Sequence, residues 1–358
     1  MLLPSLNARR SLADPRRSHR LGTPERHLSP VGPDSRLHRA GPKRPGVVLV
    51  ILVAIVITAA AVVFTVSRFV PFSSDPAAGS ASPPTRPGSY LGVYESGALN
   101  SYQPVADFTE AVGRQPNLVG YYSGWGEPFQ TSFAETAREH GAATILQWDP
   151  TDASVSSIAA GHYDSYLRAF ADSVRNFGHP VIMGFGHEMN ANWYSWGYGH
   201  LAPSTFVAAW RHIVTLFRDQ GANNVTWLWT LQADEPGTGT IAAWWPGAQY
   251  VTWVGIDGYY YRPFETFSSV FGATIAQVRM FTHLPVLLSE AAVGPEAGQT
   301  AKIPNLFAGM RQYGLLGLVW FDVTQNQGIY HQDWHIEDSQ AAVKAFRSEA
   351  STLPLWNP

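Results

Sequence analysis

The chain has 358 residues, 14% of them charged and 13% aromatic, with a formal net charge of −3 and no cysteine. Without thiols, a cysteine nucleophile, thiolate zinc sites and iron–sulfur ligation are excluded. The small total hides a division, because residues 1–46 carry a net +7 and the remainder −10.

Residues 1–46 are rich in Arg, Pro and Gly and contain no aromatic side chain to stack on bases. They read as a disordered basic cytoplasmic tail rather than a nucleic-acid arm, so no nucleic-acid partner is expected. Residues 47–66, beginning at Val47 and ending at Val66, hold no charge and are almost all Val, Ile, Leu and Ala. As one helix they would cross a hydrocarbon core of about 30 Å. With the basic flank on the N-terminal side, the reading is a single-pass anchor in the cell membrane, N-terminus cytoplasmic and the rest extracellular. Secretion after cleavage is the alternative. Against it, the leader is long for a signal peptide, and Ala59-Ala60-Ala61 lies inside the apolar run rather than after it. Residues 67–89 follow as a Pro/Ser/Gly-rich linker.

From residue 90 the texture changes, and all thirteen Trp lie beyond that point. Strand-like runs are predicted at 90–94, 118–123, 143–148, 181–187, 225–230, 251–257, 286–290 and 317–322. Amphipathic helices are predicted at 105–112, 131–140, 164–177, 203–220, 264–281, 301–313 and 339–349. In the third of these, Tyr166, Ala169, Phe170, Ser173, Val174 and Phe177 share one side. Only the fifth strand lacks a long helix after it, with a short one at 241–245. Eight βα units over 90–355 predict a (β/α)8 TIM barrel. A doubly wound sheet is the alternative, but Tyr94-Glu95-Ser96-Gly97-Ala98 lacks the Gly-rich phosphate loop expected after its first strand.

Barrel chemistry sits at the C-terminal ends of the strands. Those ends read Tyr94-Glu95, Ser123-Gly124-Trp125, Trp148-Asp149, His187-Glu188, Trp229, Asp257-Gly258-Tyr259, Glu290 and Trp320-Phe321-Asp322. Aromatic and acidic residues alternate and cations are nearly absent, which argues against phosphorylated substrates and for neutral sugars. Glu188 ends the fourth strand and Glu290 the seventh, so the two carboxyls face each other across the mouth. Such a pair can flank one glycosidic bond, one as general acid and base, the other as nucleophile or as base to water. The histidines show no HExxH or clustered ligand spacing, so neither a catalytic metal nor a cofactor is expected.

The run His187-Glu188-Met189-Asn190 with Trp193-Tyr194 and Trp196-Gly197 resembles the acid/base motif of glycoside hydrolase family 26, the β-mannanases and relatives. Similarity continues through Trp210-Arg211-His212-Ile213, Asn223-Asn224-Val225-Thr226-Trp227-Leu228-Trp229, Trp253-Val254-Gly255-Ile256-Asp257-Gly258-Tyr259 and Pro285-Val286-Leu287-Leu288-Ser289-Glu290. The resemblance implies a β/α barrel and a retaining mechanism, with Glu188 as acid/base and Glu290 as nucleophile. It implies His187 beside Glu188 in the sugar site, Trp193 as a platform near the cleavage point, and Asp257 and Tyr259 as support for the nucleophile. Trp320 would form the floor under the sugar bearing the scissile bond. Ala191 stands where many relatives carry Gly, a departure that weakens transfer of the substrate. Glu127, Trp148, Asp149, Asp333 and Trp334 are weaker rim candidates.

The expected function is a membrane-anchored extracellular endo-β-glycanase, first an endo-β-1,4-mannanase, acting on a β-linked polysaccharide through a monomeric catalytic domain. A β-1,3/1,4-glucanase or xylanase of the same mechanism, a hydrolase of the cell's own exopolysaccharide, and a non-catalytic carbohydrate-binding barrel are the alternatives.

Overall fold

The computed structural model describes residues 82–234, 237–325 and 332–358. The expected basic tail, the membrane span at 47–66 and most of the linker lie outside the described residues. Among the described residues no helix is long and apolar enough to cross a membrane.

Eight parallel strands close into a barrel in sequence order: β1 (Tyr90–Glu95), β2 (Leu118–Gly124), β3 (Ala143–Asp149), β4 (Val181–Phe185), β5 (Val225–Gln232), β6 (Trp253–Tyr260), β7 (Val286–Val293) and β8 (Gly317–Asp322). The helices that cover it are α1 (Gln103–Val112), α2 (Thr131–Glu139), α3 (Val155–Ala159), α4 (Asp164–Phe177), α5 (Pro203–Asp219), α6 (Ala273–Arg279), α7 (Gln299–Gln312) and α8 (Gln340–Ala350). The predicted (β/α)8 barrel is therefore the observed architecture. After β5 only short 3₁₀ turns appear, at Ile241–Trp244 and Ala248–Tyr250, in line with the weak helical pattern there.

Each strand alternates between two cores. Tyr90, Tyr94, Leu118, Ile145, Ile182, Leu228, Trp253, Leu287 and Val319 fill the barrel interior, while the alternate residues pack under the helices. Both faces are buried, so the strands read as continuous apolar runs. Tyr94 turns inward over Gly120, where an added Cβ would lie 2.1 Å from its ring.

Two strands depart from regularity, one just before Glu188 and the other just before Glu290. β4 ends at Phe185 rather than extending to 187, because Gly186 takes φ +56 and Glu188 φ +53. An added Cβ on Gly186 would meet Phe206 at 2.9 Å and Trp196 at 3.2 Å. In β7, Gly255 pairs with Leu287 but Asp257 with Glu290, and on the other side Leu288 pairs with Leu318 but Ala291 with Trp320. Both neighbours thus see one extra residue in β7, a bulge that re-aims the chain immediately before Glu290.

Candidate active site

Glu188 leaves β4 on a turn, not on the strand itself. Its left-handed backbone is uncommon for a non-glycine residue and costs on the order of 1–3 kcal/mol, so the surroundings must impose it. Its N–H donates to the Thr230 carbonyl (3.0 Å), and its own carbonyl accepts from Ala191 N–H (2.9 Å). Asn190 then clamps the turn to β5, donating from Nδ2 to the Gln232 carbonyl (2.8 Å) and accepting from Gln232 N–H (2.9 Å). The Glu188 carboxyl is buried, and Trp193 Nε1–H donates to its Oε2 at 2.7 Å. The half-buried Trp193 is thereby tied directly to the predicted acid/base.

Glu290, 4% exposed, accepts from Tyr122 Oη at Oε1 and from Tyr259 Oη at Oε2. Tyr122 is itself held by Tyr94, whose ring stacks on it at 4.9 Å. Asp257 is fully buried beside Glu290 in register, and Ser289 Oγ donates to its Oδ1 at 2.6 Å. One carboxylate oxygen each of Glu188, Asp257 and Glu290 lie within 4.8 Å of one another. The two glutamates predicted from opposite sides of the mouth do meet.

Burial pushes the Glu290 carboxyl above the usual range, while the His187 charge and the Tyr122 and Tyr259 hydroxyls pull it back. Asp257 is pushed well up by burial and by the Glu290 charge. His187, 5% exposed, has both ring nitrogens engaged: Nδ1 with Asp149 Oδ1 at 2.8 Å and Nε2 with Tyr194 Oη at 3.1 Å. Burial alone would lower its pKa, but the Asp149 carboxylate outweighs that and raises it to about 9. An imidazolium beneath two carboxylates offsets their charge where water cannot.

Trp320 is not at the mouth. It is fully buried on the outer side of β8, edge-on to Phe346 of α8 at 5.2 Å, with Nε1–H shared between Asp322 Oδ1 (3.0 Å) and the Trp334 carbonyl (3.1 Å). The inward position is Phe321, which packs on Tyr94 and, edge-on at 5.7 Å, on Tyr259. The expected floor therefore shifts by one residue, since strand alternation sends neighbours to opposite faces. Trp148 likewise packs outside, against Phe170, whereas Asp149 faces inward to His187. Glu127 caps its own loop, accepting from Ser123 Oγ and Gly124 N–H.

Sequence reasoning missed Tyr122 and left Asp149 among the weak candidates. The period-2 phase of Leu118, Gly120 and Tyr122 was the available signal, one step behind the Ser123-Gly124-Trp125 end that drew attention. Tyr194 stood inside the motif without a role; its hydroxyl closes the His187 pair.

An eight-stranded parallel barrel with buried carboxylates and aromatic rings gathered at its C-terminal mouth is the framework of a glycoside hydrolase. The sequence profile described as Glycosyl hydrolase family 26 matches residues 111–351. The chain belongs to glycosyl hydrolase family 26. Endoglucanase H of Acetivibrio thermocellus is 28% identical over 292 residues, 76% of this chain and 32% of that protein. Mannan endo-1,4-beta-mannosidase A and B of Caldalkalibacillus mannanilyticus is 27% identical over 99 residues, 26% of this chain and 19% of that protein. The chain thus spans a third or less of the length of these curated relatives. The catalytic domain of an endo-β-1,4-mannanase from Bacillus sp. JAMB-750 shares the fold, with a TM-score of 0.57 and 17% identity over 75% of this chain and 87% of that one.

Proposed function

We propose that this domain is a retaining, endo-acting β-glycanase in which Glu188 is the acid/base and Glu290 the nucleophile. The carrying observation is the approach of the Glu188 and Glu290 oxygens to within 4.8 Å. Carboxyls about 5–5.5 Å apart suit a nucleophile and an acid, whereas a gap of about 6.5–9.5 Å would admit an inverting water. Glu290 attacks the anomeric carbon while Glu188 protonates the departing oxygen; the glycosyl-enzyme ester is then hydrolysed with Glu188 as base. Two tyrosine hydroxyls hold both Glu290 oxygens, which favours the ionised nucleophile. Trp193 fixes the carboxyl of Glu188, while Trp193 and Phe321 are the aromatic faces offered to sugar rings. His187 and Asp257 are positioning residues below them.

β-1,4-Mannan is the first substrate to assay. A β-1,3/1,4-glucan is the second reading, favoured because the endoglucanase likeness spans 76% of the chain and the mannosidase likeness 26%. The span at 47–66 would tether the domain outside the cell, and assay of the membrane pellet after cell fractionation tests that. For the mechanism, hydrolysis of β-mannan, β-glucan and β-xylan is followed by NMR of the product anomer. The expected first product keeps the β configuration, Glu290→Ala abolishes turnover with oligosaccharide binding preserved, and Glu188→Ala is partly rescued by azide. An α first product, or full activity in either variant, would sink the assignment; no hydrolysis of any polysaccharide by the wild type would favour a binding barrel.

A further inference from the structure

A second carboxylate trio lies on the other face of the strand ends. Tyr94 and Phe321 point into the barrel, so their neighbours Glu95 and Asp322, which pair in register between β1 and β8, point toward the helices. Glu337, just before α8, completes the group, and one oxygen of each carboxylate lies within 4.8 Å of the others. Asp322 is fully buried. Its Oδ1 accepts from Trp320 Nε1–H (3.0 Å) and Ile336 N–H (2.9 Å), while no N–H or hydroxyl reaches the buried Oδ2, which only a protonated Glu95 or Glu337 carboxyl could serve. The groups crowding Asp322 are Glu337 and Glu95, acceptors when ionised. Among the described residues, none of the three forms an ion pair with Lys or Arg, and His335 is engaged by Asp333 at 2.5 Å. The Glu188, Asp257 and Glu290 trio is spaced alike, yet Trp193, Tyr122, Tyr259 and Ser289 donate to it.

We propose that Glu95, Asp322 and Glu337 bind a calcium ion that fastens the segment before α8 to the ends of β1 and β8. Calcium takes six to eight oxygen ligands at about 2.3–2.6 Å. An ion between ligands at that radius holds oxygens up to about 4.8 Å apart, so one ion can touch all three carboxylates. Half-exposed Glu95 and exposed Glu337 leave room for water to complete the shell. The ion would satisfy the stranded Asp322 Oδ2 and neutralise charge that burial otherwise penalises. The rival way to relieve this crowding is a proton shared among the carboxyls.

The test is calcium and terbium binding to the EDTA-treated, dialysed full chain. Calcium about a hundredfold above its Kd is expected to raise Tm by about 5 °C or more. Terbium is expected to show saturable emission on tryptophan excitation, because the Trp320 indole touches Asp322. Glu337→Gln, at an exposed position, and Glu95→Gln should lose both signals, while Glu290→Ala keeps them. No Tm shift and no sensitised emission in the wild type would leave a shared proton as the explanation and overturn the proposal. Signals lost in Glu290→Ala but kept in Glu337→Gln would place the ion in the sugar site, and overturn it too.

Discussion

Tyr259→Phe removes one of the two hydroxyls on Glu290 while keeping the ring that packs against Phe321 and Trp334. A hydrogen bond to a charged group contributes about 1.5–3 kcal/mol, and one pKa unit corresponds to about 1.36 kcal/mol. The hydroxyl stabilises the carboxylate over the carboxylic acid, so its loss raises the Glu290 pKa. The nucleophile must be ionised to attack, and the acid limb of kcat/KM against pH reports the free enzyme. That limb should move to higher pH by about 1–2 units in Tyr259→Phe and in the same direction in Tyr122→Phe. Circular dichroism verifies that each variant is folded. An acid limb that stays in place in a folded Tyr259→Phe protein would refute the view that these hydroxyls tune the Glu290 charge.

Two further outcomes follow from the same geometry. The folded-state pKa of His187 is raised from 6.5 to about 9. The pair with Asp149 therefore contributes its full stability below about pH 6.5 and loses it as pH rises through 9, a fall of about 3 kcal/mol. Urea unfolding across that window should show the decline, and Asp149→Asn should be less stable at pH 6 with a flatter curve. At β8, Trp320→Phe strips a donor from Asp322 and from the Trp334 carbonyl, and should lower stability by about 1–3 kcal/mol with KM unchanged. Phe321→Ala should instead raise KM severalfold; the opposite pattern would restore Trp320 to the sugar site.

The barrel was readable because its units repeat: apolar runs bounded by amphipathic helices such as Asp164–Phe177 leave few alternatives. Glu188 and Glu290 were readable because a carboxylate ending an apolar run is conspicuous. What the residues concealed was phase. In Gly317–Asp322 both faces are buried, so hydrophobicity does not tell Trp320 from Phe321. In β7 the extra residue before Glu290 is a pairing property shared with Asp257 and Trp320, visible only once three strands stand side by side. Tyr122 and Asp149 sit on strands whose ends were read one residue away from the inward face or without a partner to give them meaning. The early end of β4 depends on two left-handed residues, one on each side of His187; Gly186 permits one, but nothing local announces Glu188.

The two glutamates hang from different kinds of support. Glu290 sits within a strand bonded on both sides, so displacing it means opening the barrel. Glu188 rides a turn fastened to β5 by the Asn190–Gln232 pair and the Thr230 carbonyl. On the proposed roles, a chain warmed until that fastening slips keeps its nucleophile and loses its proton donor. Cleavage of ordinary glycosides would then fail while the fold still stands. Substrates with good leaving groups would go on loading Glu290, and the deprived enzyme would accumulate as its glycosyl ester.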